Sequence, residues 1–225
     1  HVDSSAASDV YKRQVLTTAL VLLRGAFNKN HQMIAGAWPR EESSGNEISG
    51  KTLGLVGFGE IAQKTSILAK SFNMKIIAYD PFIEETSNLW NGVTKVSLDE
   101  LLRSSDVVSI HTPLNENTHH LINSENLKLL KQSSVIINAA RGGVINEIDL
   151  DRALNENLIF GAGLDVFEKE PPDQNNPLLS NEKVFLSPHT AAFTEECMVR
   201  MGKETIQNII DFFEKKLDKS KIIKL

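Results

Sequence analysis

The run GLVGFGEIA at 54–62 constrains this chain more than any other stretch. Leu53, Leu55 and Val56 read as a buried strand. Gly57, Gly59 and Ala62 follow in a G-x-G-x-x-A spacing, and helix-compatible residues run on from Glu60 to about Ser71. A strand that turns into a helix with this spacing suits a dinucleotide phosphate. The first glycine permits the sharp turn, the second leaves the backbone open to a pyrophosphate, and the third small residue lets the helix pack close to the sheet. The free N–H groups and the dipole at the helix start favour an anion there. The same spacing also suits a strand–turn–helix that binds nothing. A second apolar run, 75–79, ends at Asp80. That places a carboxylate at the tip of the next strand, about 20 residues after the glycines, where a ribose diol would be held. Asp80 would repel a ribose 2′-phosphate and no Arg follows it in 81–85, so the expected cofactor is NAD rather than NADP. The plainer reading of Asp80 is a turn-starting residue before Pro81.

A chain of 225 residues can bury one good core, or one large and one small unit. Its 41% apolar and 24% charged residues are those of an ordinary globular protein. The net charge of −5 argues against non-specific nucleic-acid binding, which needs a basic face. A single cysteine, Cys197, excludes an intrachain disulfide and a cysteine metal cluster, and fits a reducing cytoplasm. Lys12 and Arg13 precede an apolar stretch at 15–23, superficially like a secretory signal. No small-residue cleavage site follows, Arg24 and the polar 28–31 come instead, and the stretch is too short to span a bilayer. The expectation is a buried helix from Val15 to about Ala35. Residues 1–14, polar at the start and without period, are expected to be unstructured or foreign sequence joined to a truncated protein.

From Leu53 onward, short apolar runs alternate with helical stretches. Strands are predicted at 53–57, 75–79, 93–96, 106–110, 134–138, 160–164 and 183–186. Several are apolar throughout, so both faces should be covered. Helices are predicted at 60–71, 98–104, 124–131 and 147–156, with Ser97 and Asn146 as N-caps. The alternation implies an α/β fold, a doubly wound parallel sheet of right-handed βαβ units spanning 15–192. A last amphipathic helix at about 194–217 carries Ile206, Ile209, Ile210, Phe213 and Leu217 on one stripe, within a C-terminal segment 193–225. The loop 38–50 reads as a connector.

Ligands of open α/β sheets bind beyond the carboxyl ends of the strands. Three residues just past those ends form a set suited to hydride transfer beside a carboxylate: Arg141, Glu170 and His189. Arg141 offers a planar fork for a substrate carboxylate. His189 could pass a proton to or from the substrate oxygen, and Glu170 could orient its ring and stabilise the protonated form. Each has a plainer reading: a phosphate- or solvent-facing arginine, a solvated acid and a structural histidine. His119 and His120, being adjacent, should point in different directions on a helix or strand and read as structural, with no metal site. Cys197 reads as buried filler. Lys215, Lys216, Lys219, Lys221 and Lys224 read as a solvated helix end.

The combination resembles the D-isomer-specific 2-hydroxyacid dehydrogenases, most closely their D-3-phosphoglycerate dehydrogenase-like members. The matching segments are GKTLGLVGFGEIA (50–62), YDPF (79–82), HTPL (111–114), NAARGGVINE (138–147), GAGLDVFEKEPP (161–172) and SPHTAA (187–192), in the family's order and spacing. The resemblance implies an oxidoreductase moving a hydride between NAD and a 2-hydroxy acid or 2-keto acid. Phosphoglycerate is the first substrate to consider, hydroxypyruvate or glyoxylate the second. It implies Arg141 as the substrate-binding arginine, and Glu170 with His189 as the acid–base pair. It places Glu60, Ile61, Asp80, Thr112, Ala139, Ala140, Arg141, Asp165, His189 and Ala192 along the NAD site beside Gly57 and Gly59, with Asp165 meeting the nicotinamide carboxamide. It implies a homodimer through 15–45. It also implies a substrate domain ahead of the cofactor domain. Nothing in 1–14 matches that domain, so this chain is expected to bind NAD but turn over poorly. The alternative from another class is an NAD-sensing binding module, such as a corepressor of the same fold.

Overall fold

The computed structural model describes residues 5–25 and 29–217. Seven short strands form one parallel sheet: β1 (Thr52–Val56), β2 (Lys75–Tyr79), β3 (Thr94–Lys95), β4 (Val107–Ile110), β5 (Val135–Asn138), β6 (Gly161–Leu164) and β7 (Val184–Leu186). Their order across the sheet is β3-β2-β1-β4-β5-β6-β7. The chain enters the sheet at β1, winds outward to β3, then returns to β4 and winds the other way. The gap between the ends of β1 and β4 is therefore the point where the strand order reverses, and ligands of such sheets bind there.

Both faces of the sheet are covered, as the unbroken apolar runs require. In β5, Val135 and Ile137 pack in one layer with α1 (Ser5–Arg24) and α3 (Glu60–Lys70), whereas Ile136 packs in the other layer with α4 (Leu98–Ser104) and α6 (Glu147–Asn155). The period of two along a strand sorts these side chains. The expected caps form: Ser97 Oγ accepts from Glu100 N at 3.2 Å, and Asn146 Oδ1 accepts from Asp149 N at 3.0 Å. Two elements are shorter than their apolar runs. β3 keeps two residues of 93–96, and α5 (Ser124–Leu127) keeps four of 124–131.

The first helix differs most from expectation. It begins at Ser5 rather than Val15, so residues 5–14 are helical and not unstructured. Tyr11 is buried on the same stripe as Val15, Ala19 and Leu22, which extends the apolar face one turn backward. The helix stops at Arg24 instead of near Ala35 because Gly25 adopts φ +63° and returns its N–H to Val21 and Leu22, a left-handed helix stop. A separate short helix, α2 (Asn30–Ile34), follows. α1 lies close enough to β6 that a Cβ on Gly163 would stand 2.2 Å from Thr18 Cγ2. Residues 1–4 of the suspected foreign segment lie outside the described residues.

The last helix, α7 (Glu195–Phe213), is capped by Thr194, whose Oγ1 accepts from Cys197 N at 3.1 Å. Cys197 is buried, as expected. The predicted stripe exists but faces outward: Ile206, Ile209, Ile210 and Phe213 are all exposed, and Phe212 with them. Among the described residues no helix is long and apolar enough to cross a membrane. Lys219, Lys221 and Lys224 lie outside the described residues, while Lys215 and Lys216 are exposed beyond the helix end.

Candidate active site

The glycine corner forms as its spacing demands. Gly57 leaves β1 at φ +88°, and a Cβ there would stand 2.9 Å from the His111 carbonyl oxygen. Only glycine combines that backbone with that approach. Gly59 caps α3 without a side-chain bond, and a Cβ on it would meet nothing within 4 Å. The first turn of α3 thus opens onto free space, where an anion can reach its unpaired N–H groups. Ala62 is fully buried against the sheet. Glu60, in that first turn, pairs with Lys64 at 2.6 Å, which offsets its charge beside the anion position. Ile61 is partly buried against the α1–α3 layer.

Asp80 is already engaged: Oδ2 accepts from Phe58 N and Oδ1 from Phe82 N, each at 2.9 Å. The carboxylate therefore ties the glycine corner to the end of β2. A ribose would have to use its remaining lone pairs. Across the reversal point, Thr112 Oγ1 and His111 Nδ1 are buried without a hydrogen-bond partner. A buried hydroxyl left unpaired in the crevice, beside an open helix start, fits a polar ligand lying there. His111 also touches the ring of Tyr11, whose own buried hydroxyl lacks a partner. Burial drives the His111 imidazole down to about 3.

At the other side of the edge, Arg141, Glu170 and His189 come together. Glu170 Oε2 lies 2.7 Å from His189 Nδ1, and its Oε1 accepts from Phe167 N at 3.1 Å. A carboxylate can only accept, so Nδ1 carries the hydrogen and Nε2 is left for chemistry. The imidazole is about half exposed, at 51%. Burial alone would raise the Glu170 carboxyl. The His189 hydrogen bond, the Phe167 amide and the charges of His189 and Arg141 outweigh it and hold that group below the usual carboxylate value. Glu170 is thus held by the His189 ring and the Phe167 amide and is not a freely solvated acid. Arg141 donates from Nη1 to the Ala140 carbonyl at 2.5 Å. A cavity of about 410 Å³ opens beside the pair, walled by Phe167, Pro171, Leu179 and Leu186.

Asn138 and Asp165 build this half from beneath. Asn138, at the end of β5, accepts from Ala140 N through Oδ1 and donates to the Arg141 carbonyl, so the turn holding Ala139, Ala140 and Arg141 is braced from inside. Asp165, buried at the end of β6, takes Ser187 Oγ and Thr190 N on Oδ1 and Ala191 N on Oδ2. His189 N donates to the Asp165 carbonyl at 2.8 Å, while His189 itself sits at φ +54°. Asp165 therefore organises the loop that presents His189 and Ala192, a task its sequence motif did not reveal. Sequence reasoning missed Asn138 and Ser187 as supports, although their places just at strand ends were a usable signal. It expected the rings of His119 and His120 to point in different directions. They lie in a turn, not on a helix or strand, with His120 at φ +50° and their rings stacked at 3.8 Å. No group of three or more potential metal ligands occurs among the described residues.

The sequence and the fold match known proteins. The family model for the D-isomer specific 2-hydroxyacid dehydrogenase, NAD binding domain, matches residues 16–191. The chain belongs to that family. Its domain is an NAD-binding, Rossmann-like fold. The (S)-sulfolactate dehydrogenase of Chromohalobacter salexigens is 40% identical over 196 residues, covering 87% of this chain and 63% of that protein. The hydroxypyruvate reductase of Thermotoga maritima is 44% identical over 176 residues, covering 77% of this chain and 56% of that protein. This chain therefore spans less than two thirds of either relative. Among solved structures, a glyoxylate reductase from Paecilomyes thermophila superposes with a TM-score of 0.87 at 33% identity, covering 94% of this chain and 64% of that one. A D-lactate dehydrogenase from Aquifex aeolicus, complexed with NAD and lactic acid, superposes with a TM-score of 0.84 at 29% identity, over 94% of this chain and 68% of that one.

Proposed function

We propose that this domain serves an NAD-dependent D-2-hydroxyacid dehydrogenase, interconverting a 2-hydroxy acid and a 2-keto acid. The observation that carries the reading is the 2.7 Å contact between His189 Nδ1 and Glu170 Oε2, within the electrostatic reach of Arg141. NAD, when bound, supplies the hydride acceptor or donor. Gly57, Gly59, Glu60 and Ile61 would line its pyrophosphate, Asp80 its ribose, and Thr112, Ala139, Ala140, Asp165 and Ala192 the remainder of its path. Arg141 grips the substrate carboxylate through its planar fork. His189 Nε2 gives a proton to the keto oxygen, or takes one from the hydroxyl, as the reaction runs. Glu170 keeps Nδ1 protonated, so that the correct nitrogen faces the substrate, and stabilises the imidazolium. The relatives named above are, by their names, a sulfolactate dehydrogenase, a hydroxypyruvate reductase, a glyoxylate reductase and a lactate dehydrogenase. We assign this protein the shared class, a small 2-hydroxy or 2-keto acid, in a cytoplasmic setting.

In the full-length protein, His189→Ala should cut turnover of a 2-keto acid with NADH by about 10²–10⁴-fold while leaving NADH binding intact. Equal turnover in the variant would overturn the reading and favour a binding module. We also assign a homodimer to the region around α2 and the following loop, where Met33, Ile34 and Trp38 are exposed, Ile34 at 77% and Trp38 at 75%. Sedimentation of Trp38→Glu against the parent chain should show loss of a two-chain species. A parent that sediments as one chain would remove this assignment.

A further inference from the structure

The loop that carries Glu170 runs from Asp165, just past β6, to Asn176, and Glu147 at the start of α6 holds it on both sides of Glu170. Glu147 Oε1 accepts from Glu168 N at 2.6 Å, and Glu147 Oε2 accepts from Asn176 Nδ2 at 2.6 Å. Glu168 returns the contact: its Oε1 accepts from Glu147 N at 3.3 Å. The same oxygen lies 3.0 Å from His120 Nε2, and His120 Nδ1 lies 3.2 Å from Asn146 Nδ2, on the cap of α6. Two carboxylates that exchange backbone N–H donors would repel each other. The His120 ring on one and the Asn176 amide on the other supply partners that offset this.

The segment that supplies Glu147 is the one that supplies Arg141. Between them, Gly142 touches the loop so closely that a Cβ would stand 1.7 Å from the Phe167 carbonyl oxygen and 2.7 Å from Glu168 N. The 141–147 segment and the 165–176 loop therefore meet at a flush backbone contact next to Arg141 and at a double carboxylate contact at Glu147. Arg141 and Glu170 sit on these two pieces. Nothing in the hydride chemistry uses Glu147, yet its two oxygens straddle the residue that orients His189.

We propose that Glu147 is a positioning residue: by holding Glu168 and Asn176 it sets where Glu170 meets His189. The inference rests on the acid–base reading of that pair, but its test does not depend on turnover. The readouts are the titration of the Glu170 carboxyl, followed by carbon NMR, and hydrogen exchange at the Glu168 amide. In Glu147→Ala, Glu170 should titrate at higher pH than in the parent, because a displaced loop loses the His189 contact that holds it low. The Glu168 amide should exchange about tenfold faster, the loss expected for one hydrogen bond to a charged acceptor. Glu147→Gln keeps one accepting oxygen and should shift both readouts in the same direction by less. It decides the matter alone if the alanine variant does not fold. Asp149→Asn is the control: Asp149 lies in the same helical turn but accepts from Ser124 N at 2.9 Å, away from the loop. It should lower the melting temperature and leave the Glu170 titration in place. Unchanged Glu170 titration and Glu168 exchange in a folded Glu147 variant would overturn the proposal. A shift of equal size in Asp149→Asn would overturn it too, by showing only general loosening. Should His189→Ala leave turnover intact while Glu147→Ala moves Glu170, the acid–base reading fails and the positioning contact stands.

Discussion

On the β1 side of the sheet's carboxyl edge the site is made of backbone. Gly57 turns, the first turn of α3 opens, and Asp80 bonds the N–H of Phe58. On the β6 side it is made of loops pinned by side chains: Asp165 gathers the Ser187 hydroxyl and the N–H groups of Thr190 and Ala191, Asn138 braces the turn at Arg141, and Glu170 meets His189. The first half needs little support because its parts are neighbours in sequence, and one strand–turn–helix brings its own geometry. The second half joins residues from three different strand ends, so each loop needs a buried acceptor to fix it. Loops of this kind run over the surface and are ordered only by such specific bonds.

The contrast predicts unequal damage. Asp165→Ala removes the acceptor for two backbone N–H groups and a hydroxyl at once, and leaves buried donors unpaired. It should destabilise the domain by about 3 kcal/mol, read from urea unfolding. A loss under about 1 kcal/mol would mean the β6 side is no more dependent on its brace than the β1 side. Between the halves lies His111, whose imidazole is lowered to about 3 from 6.5 by burial. Below pH 6.5 the unfolded chain gains a proton there that the folded chain refuses. This share of stability is whole above 6.5 and drains as pH falls toward 3. The unfolding free energy should fall by up to about 1.4 kcal/mol per pH unit in that window, and His111→Gln should flatten the slope. The smallest effect belongs to the β1 side. Asp80→Ala loses one bond to the glycine corner and should cost about 1 kcal/mol of stability. If the same carboxylate also meets a ribose, NADH should bind about tenfold more weakly, measured by fluorescence titration. Unchanged NADH affinity would confine Asp80 to tying the corner together.

How legible each half was follows from the same difference. The corner at 57–62 and Asp80 were readable because turn, helix start and strand tip lie within one βαβ unit. All seven strands were located: β4, β5 and β6 are buried throughout and apolar on both faces, while the partly buried β2, β3 and β7 were read as short apolar runs between helical stretches. The start and end of α1 were not readable. Its backward extension depends on Tyr11 packing with Val15 and against the His111 ring, and its stop depends on the left-handed Gly25. The outward face of α7 was equally invisible: the stripe of Ile206, Ile209, Ile210 and Phe213 reads as core whether or not anything covers it.

The sequence by itself determined the doubly wound sheet, its glycine corner and the candidate trio of Arg141, Glu170 and His189, because short-range spacing and apolar period carry that information. Only the tertiary structure decided that Glu170 bonds Nδ1 of His189, that Asp165 organises the loop behind them, and that Glu147 grips both flanks of Glu170. Those are contacts between residues distant in the chain. Their formation depends on which strand ends the sheet order brings together, and no local pattern encodes that order.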